Sequence, residues 1–444
     1  MNESTLRQAL TDLAATPTPP TFTPNAAVRL HRYRLIRAGV AIGAAVLVLA
    51  ALIAVPRVVS RRAEPAAPPS TGVSLPSTVD TPWAWTPHVQ DKPAGAASLV
   101  VSGSGVNELT DIDNESDNAF IGARANSYRL YLCNSGCDAG AGTYLSPDGT
   151  HAIGWNGVLD LRTGRERRMT GAAANHAGEP RGWSPDGRSI SACVQRDVND
   201  HADWIPYAVQ NINVHTGAIT TLPGHGKGNE GVCEVAYSPD GRRIAYQLDS
   251  TVRVATVDGR LLATFAAPHG AVLAGKGAWT RDGRSIAFVT RTSDGRRLVL
   301  VDATTGGVGG PEYPAVSGAC ALRLLGWRPD GSPLVVAYLP ESYRDLAKLG
   351  VMDTDANDVN HVTVLSLYRD RAPRVVMMAA SGITNLDVAD RAIESGRVRP
   401  GGRAPLYLNP VWPTAAAVAV ILIWTALTFV IVGLLRRTRR PRLR

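Results

Sequence analysis

Five times the chain repeats one short phrase: Leu145-Ser146-Pro147-Asp148-Gly149, Trp183-Ser184-Pro185-Asp186-Gly187, Tyr237-Ser238-Pro239-Asp240-Gly241, Trp279-Thr280-Arg281-Asp282-Gly283 and Trp327-Arg328-Pro329-Asp330-Gly331. The phrases recur at roughly 45-residue intervals, and self-similarity at that period restricts the chain to a solenoid, a propeller or an array.

Local chemistry narrows the choice. Proline presets φ for the second position of a type I turn, aspartate tolerates the third, and glycine takes the left-handed conformation that closes a hairpin. Alternating segments follow each turn, such as Arg243-Ile244-Ala245-Tyr246 and Ser285-Ile286-Ala287-Phe288, as expected of half-buried strands. A third strand ending in its own turn comes next, as in Val158 to Gly164 and Leu300 to Gly306, and a short fourth run such as Leu261 to Phe265 completes the unit. Four antiparallel strands per unit make a propeller blade. Helical repeats would need a 3.6-residue apolar period, which these segments lack.

The phrase Trp/Tyr-Ser-Pro-Asp-Gly-Arg-x-Ile-Ala-Tyr/Phe resembles the TolB-type (WD-repeat-like) β-propeller blade over about residues 97–378. The fourth copy departs by carrying Thr280-Arg281 and the fifth by carrying Arg328, yet both keep the Asp-Gly that the turn requires. Strands near Ser98, Phe120 and Leu130 supply a degenerate first blade, and those near Val364 and Val376 finish the last marked one. The count is six, or seven if residues 383–393 pair with the early strands to close the ring. The expected fold is therefore all-β, a six- or seven-bladed β-propeller flanked by two transmembrane α-helices.

Two uncharged runs lie outside the repeats, 18 residues over 38–55 and 22 over 414–435, each long enough to span a bilayer as a helix. Arg436, Arg437, Arg439, Arg440, Arg442 and Arg444 follow the second run without an acidic residue, which marks that end as cytoplasmic. With two spans, both termini lie inside and the propeller outside. The stretch after the first run has no small-x-small cleavage site, so an anchor is expected. The organisation is an N-tail over 1–37, a span over 38–55, a Pro-rich linker over 56–94, the propeller over 95–395, a linker over 396–413, a span over 414–435 and an Arg-rich tail over 436–444.

This layout accounts for the charge. The formal net charge is +8, yet the arginines beside the two runs exceed it, so the propeller is mildly acidic. A nucleic-acid surface would need a basic stripe on the propeller, and no nucleic-acid partner is expected. Arginine outnumbers lysine 42 to 4, a bias that suggests a GC-rich actinobacterial genome.

Cys133, Cys137, Cys193, Cys233 and Cys320 all fall in the part expected outside, where disulfides persist. Cys133 and Cys137 bracket a turn, and Cys193 and Cys233 sit in neighbouring blades. Both pairs are candidate disulfides, and packing as small buried hydrophobes is the alternative. Inside, residues 3–15 read as a short amphipathic helix with Leu6, Leu10 and Leu13 on one stripe. Such a helix needs the bilayer or a cytoplasmic protein to lie on. The layout resembles actinobacterial membrane propellers, some of them associated with regulators of extracytoplasmic-function sigma factors. That resemblance implies a cytoplasmic partner at the N-tail, although the His-Cys zinc motif of many anti-sigma domains is missing.

Catalytic motifs are absent from the sequence: it has no Gly-x-Ser-x-Gly elbow, His-Glu-x-x-His, Walker loop or dinucleotide fingerprint. The acidic clusters at Asp111, Asp113, Glu115 and Asp117 and at Asp353, Asp355 and Asp358 lack the glycine and glutamate of a calcium loop. No cofactor and no metal are expected. The aromatics before the turns, Tyr144, Trp183, Tyr237, Trp279 and Trp327, recur at one blade position and are assigned to packing between blades. Binding residues are expected where loops break the repeat: Asp203 and Trp204, His225 and Lys227, Tyr343 and Arg344. The chain is thus expected to be a non-enzymatic binding or scaffolding module for a protein or other envelope ligand. A transmembrane regulator is the alternative reading, and an envelope hydrolase is the third.

Overall fold

The computed structural model describes residues 72–83, 86–106, 118–131, 138–154, 157–169, 178–197, 204–226, 232–340 and 359–405. The expected spans, the N-tail helix and the Arg-rich tail lie outside these residues. Among the described residues no helix is long and apolar enough to cross a membrane.

Six antiparallel sheets of at least four strands follow one another along the chain, making a six-bladed propeller. Blade 2 is built from Tyr144–Leu145, His151–Gly154, Gly157–Asp160 and Arg165–Arg167, and blade 3 from Gly178–Trp183, Ser189–Asp197, Trp204–Asn213 and Ile219–Thr221. Blade 4 comprises Cys233–Tyr237, Arg243–Leu248, Thr251–Thr256 and Leu261–Ala266, and blade 5 Val272–Leu273, Ser285–Arg291, Gly295–Asp302 and Val316–Ser317. Blade 6 comprises Ala321–Trp327, Pro333–Pro340, Val359–Ser366 and Arg374–Ala379.

Blade 1 decides between the six and seven blades expected, in favour of six. Its outer three strands are Ala97–Ser102, Asn118–Gly122 and Tyr128–Tyr131, and its first strand is Asn385–Val388 from the far end of the chain. Residues 383–393 do meet the early strands, with Leu386 opposite Val101. They complete the first blade rather than add a seventh, because Ala97–Ser102 would otherwise present an unpaired edge at the centre of the ring. After this closure the chain makes the short helix α1, Asp390–Glu394.

Each Pro-Asp-Gly phrase is a hairpin turn tied by its own side chains. Ser184 Oγ lies 2.6 Å from Asp186 Oδ1, which also accepts from the Arg188 amide at 3.0 Å. Thr280 takes the serine's place in the fourth copy, 2.6 Å from Asp282. In the fifth, where Arg328 replaces serine, the Ser332 hydroxyl bonds Asp330 at 2.6 Å instead. Gly241 has φ +69°, a conformation that side chains disfavour. At Gly149 space adds a second constraint, since a Cβ there would collide with the Ala97 carbonyl oxygen of blade 1.

The core is a series of apolar layers between neighbouring blades. Phe120, Leu145 and Leu159 pack between blades 1 and 2, and Ile153, Trp183 and Ile190 between blades 2 and 3. The aromatics before the turns join these layers. The indole N–H of Trp183 donates to Tyr144 O at 2.9 Å, that of Trp279 to Ala236 O at 3.1 Å, and that of Trp327 to Gly277 O at 3.1 Å. Each tryptophan thus reaches the carbonyl row of the preceding blade, satisfying a polar tip inside an apolar layer. Cys193 and Cys233 form a disulfide between blades 3 and 4, with Cα atoms 6.3 Å apart. Cys320 is buried, and its thiol donates to Tyr338 O at 3.3 Å.

The segments flanking the blades also pack against them. Leu75–Pro76 pairs in parallel with Val398–Arg399, and Thr78–Val79 adds a fifth, parallel strand to the edge of blade 6. The Arg399 guanidinium donates to Gly122 O at 2.7 Å and to Ser74 O, joining both flanks to blade 1.

Candidate functional site

The first strands of the blades stand side by side around the axis, and several carry one charged residue among apolar ones. Blade 3 supplies Glu179 and Arg181, blade 4 Glu234, the loop after the first strand of blade 5 Lys276, blade 6 Arg323 and the closing strand Asp387. Buried charges persist only when paired or hydrogen-bonded, and these are held in one way or the other. Arg181 lies 2.7 Å from Glu179 and 3.8 Å from Glu234. Lys276 Nζ lies 3.0 Å from Asp387 and 3.1 Å from Asp390, and donates to Val388 O at 2.5 Å. Asp387 also accepts from the Leu145 amide at 2.9 Å, while Arg323 donates to Gly140 O and Leu386 O.

Electrostatics follow from burial and pairing. Burial alone would lower the Lys276 ammonium, but the Asp387 and Asp390 carboxylates outweigh it and hold the group above its ordinary value. Burial raises the Glu234 carboxyl, against the opposing pull of Arg181 and Arg323.

Helix α1 sits where this axis opens on the face of the Pro-Asp-Gly turns, its start fixed by the bond from the Arg391 amide to Pro147 O at 2.9 Å. Two clefts flank it. The larger, about 900 Å³, lies against blades 2 and 3 and is lined by His151, Trp183, Val214, His215, Arg391 and Glu394 among others. The smaller, about 300 Å³, runs on the other side over Tyr237, Pro239, Trp327, Ile393 and Glu394. The larger cleft mixes both charges with an apolar floor, and Arg391 and Glu394 stand exposed on its helical wall.

Most ionisable groups in that cleft are committed to local structure. Asp148 accepts from the Ser146 hydroxyl at 2.8 Å and from the Thr150 amide and hydroxyl at 3.0 and 2.8 Å. Those bonds lower its carboxyl despite the raising effect of burial. His151 Nδ1 is 2.9 Å from the Thr150 hydroxyl, and burial pulls this imidazole below its ordinary value, against Asp160 and Asp148. The cleft therefore offers fixed hydrogen-bonding and apolar surface. Among the described residues no group of His, Cys, Asp and Glu is arranged to hold a metal ion.

Of the loop residues singled out from the sequence, Trp204 and His225 fall among the described residues. His225 is exposed and stacks on Tyr207, with ring centroids 4.4 Å apart and planes 11° from parallel. Trp204 begins the third strand of blade 3, where its backbone pairs with Asp197. Asp203, Lys227, Tyr343, Arg344, Cys133 and Cys137 lie outside the described residues, as do both acidic clusters. The axial charges and helix α1 were not anticipated. Their signal was a charged residue a few positions before the turn aromatic, as in Arg181 before Trp183, Glu234 before Tyr237 and Arg323 before Trp327.

No family model matches the chain, and no curated protein matches it. Solved structures do. TolB from Acinetobacter baumannii is 17% identical with a TM-score of 0.41, over 66% of this chain and 65% of that one, so the match spans just under two thirds of that protein. A putative TolB from Agrobacterium tumefaciens is 14% identical with a TM-score of 0.38, over 70% of this chain and 94% of that one. An oligogalacturonate lyase in complex with manganese is 16% identical with a TM-score of 0.40, over 64% and 77%. The six-bladed propeller itself rests on the strand order of this chain.

Proposed function

We propose that the chain is a binding and scaffolding module at the cell envelope, held outside the membrane by the apolar runs 38–55 and 414–435, with both termini cytoplasmic. Its recognition site is the larger cleft beside helix α1. The observation that carries this reading is the state of the cleft's ionisable groups: Asp148, Asp160 and Asp186 are held by turn bonds, Asp390 by Lys276, and His151 lies against the Thr150 hydroxyl. Such groups recognise a partner's polar surface and are not poised for proton transfer. The mixed charge and apolar floor suit a segment of protein with both kinds of side chain. The Cys193–Cys233 bridge supports an oxidising location.

A photoactivatable residue replacing His215 in the full chain, irradiated in intact cells, tests this reading. One discrete envelope adduct, lost when Arg391→Glu is added, is the expected result. Adducts unaffected by that change would count against the cleft.

A second reading, a transmembrane regulator, is favoured by the flank pairing. Leu75–Pro76 and Val398–Arg399 are joined to each other and to blade 1, so a change in the propeller has a mechanical path into both flanks. The N-tail would then hold a cytoplasmic protein such as an extracytoplasmic-function sigma factor. Purifying the full chain with and without residues 1–15 tests this: a partner that depends on those residues supports it, and identical eluates oppose it.

A further inference from the structure

The outer edges of the six blades are not treated alike. Blade 6 is covered by Thr78–Val79, and blade 1 by the segment in which Val89 donates to Leu130 O at 2.8 Å. Blade 2 ends in the charged, exposed strand Arg165–Arg167, and blades 3 and 5 end in strands of three and two residues. Blade 4 ends in the six-residue strand Leu261–Ala266, which has neither charge nor proline, and no described strand pairs with its outer side. Leu261 and Leu262 are 46% and 42% exposed there. Edge strands are normally blunted by charge, proline, shortness or cover, and among the described residues this one alone has none of those defences.

The outward register can be derived. Ala267 donates to Ser250 O at 2.8 Å, and the pairs Val252 with Phe265 and Val254 with Ala263 continue that phase. Antiparallel strands alternate bonded and non-bonded pairs, so Ala263, Phe265 and Ala267 bond inward while Thr264 and Ala266 turn their amides and carbonyls outward.

The geometry points to a second copy of this chain as the occupant, its own Leu261–Ala266 strand added antiparallel about a two-fold axis at Thr264. That axis sets Thr264 against its equivalent and Ala266 against Leu262, with no like charges opposed. A shift of the axis toward the C-terminus would bring Pro268, which has no donor, opposite Thr264. A shift the other way would run the pairing into the turn at Gly259. The chain already shows that its blades accept a fifth strand, at blade 6. An interface of one strand per copy is small, and confinement to one membrane raises its effective concentration. In that respect the inference rests on the anchoring proposed above.

The test is disulfide trapping in the full chain expressed in its host. Across a bonded antiparallel pair the Cα atoms are about 5.5 Å apart, within the span of a disulfide, so Thr264→Cys should link to itself. The comparison is Thr221→Cys, on the exposed edge of blade 3, with the unaltered chain as baseline. Thr264→Cys should give at least roughly fivefold more dimer on oxidation than Thr221→Cys, and adding Ala266→Pro, which deletes an outward donor, should return it to that level. Equal trapping at both positions, trapping indifferent to Ala266→Pro, or a Thr264→Cys adduct to a different polypeptide would each overturn the inference. Crosslinking is read in whichever fraction holds the chain. A chain absent from membranes defeats the anchoring, whereas an untrapped chain within them defeats the pairing.

Discussion

The ammonium of Lys276, in blade 5, lies 3.0 Å from Asp387 on the strand that closes blade 1. Asp387 is fully buried, and the same lysine holds Asp390 of helix α1. One side chain thus fastens both the ring closure and the wall of the cleft.

Lys276→Met should therefore destabilise the chain strongly, by about 3 kcal/mol or more, because it leaves a buried carboxylate without its cation. Adding Asp387→Leu should recover part of the loss. Chemical denaturation of the two single variants and the double variant measures the coupling, and simple additivity would contradict it.

Arg181 and Glu234 should respond unequally. Arg181→Met strands two carboxylates and should cost about 3 kcal/mol, whereas Glu234→Gln should cost little. Burial raises the Glu234 carboxyl above its ordinary 4.5. Its contribution to stability is therefore full below that value and is lost as pH rises through the folded one. Glu234→Gln should flatten that fall, as melting temperatures across pH 4.5 and above would show.

The hairpin aspartates carry the opposite sign. The Ser238 hydroxyl bond is the leading cause that lowers Asp240 below 3.8. The stability it brings is present above the ordinary carboxylate value and is lost as pH falls through the lowered one. Asp240→Asn should reduce acid sensitivity below pH 3.8, measured by melting in acid.

Two glycine substitutions separate strain from collision. Gly241→Ala meets nothing closer than Pro185 at 3.7 Å, so it should cost only the left-handed penalty of about 1–2 kcal/mol. Gly149→Ala adds the clash with Ala97 O and should cost visibly more in the same denaturation assay.

Cys193→Ser should cost about 2–4 kcal/mol under oxidising conditions. Under reducing conditions the cost should shrink. Equal costs in both would argue against the bridge.

Much of this architecture could be read from the chain because Pro-Asp-Gly fixes a turn whatever surrounds it. The tryptophans were placed correctly between blades because they recur at one blade position. The count of six was legible, but the choice between six and seven was not: periodicity does not report whether Asn385–Val388, paired with Ala97–Ser102, completes the first blade or begins another. The axial charges were visible as residues but not as a network, since Lys276 meets Asp387 only after the ring closes. Helix α1 has five residues and no side-chain cap, too little periodicity to show as a helix.

The most direct test of recognition at the cleft is photocrosslinking from position 215 compared with position 308, an exposed site in blade 5 remote from the cleft (Val308 is 67% exposed). The account predicts one discrete envelope protein at 215, abolished by Arg391→Glu and absent at 308. The same adduct at both positions, or none at 215 while the chain is folded and present in the membrane, would contradict it.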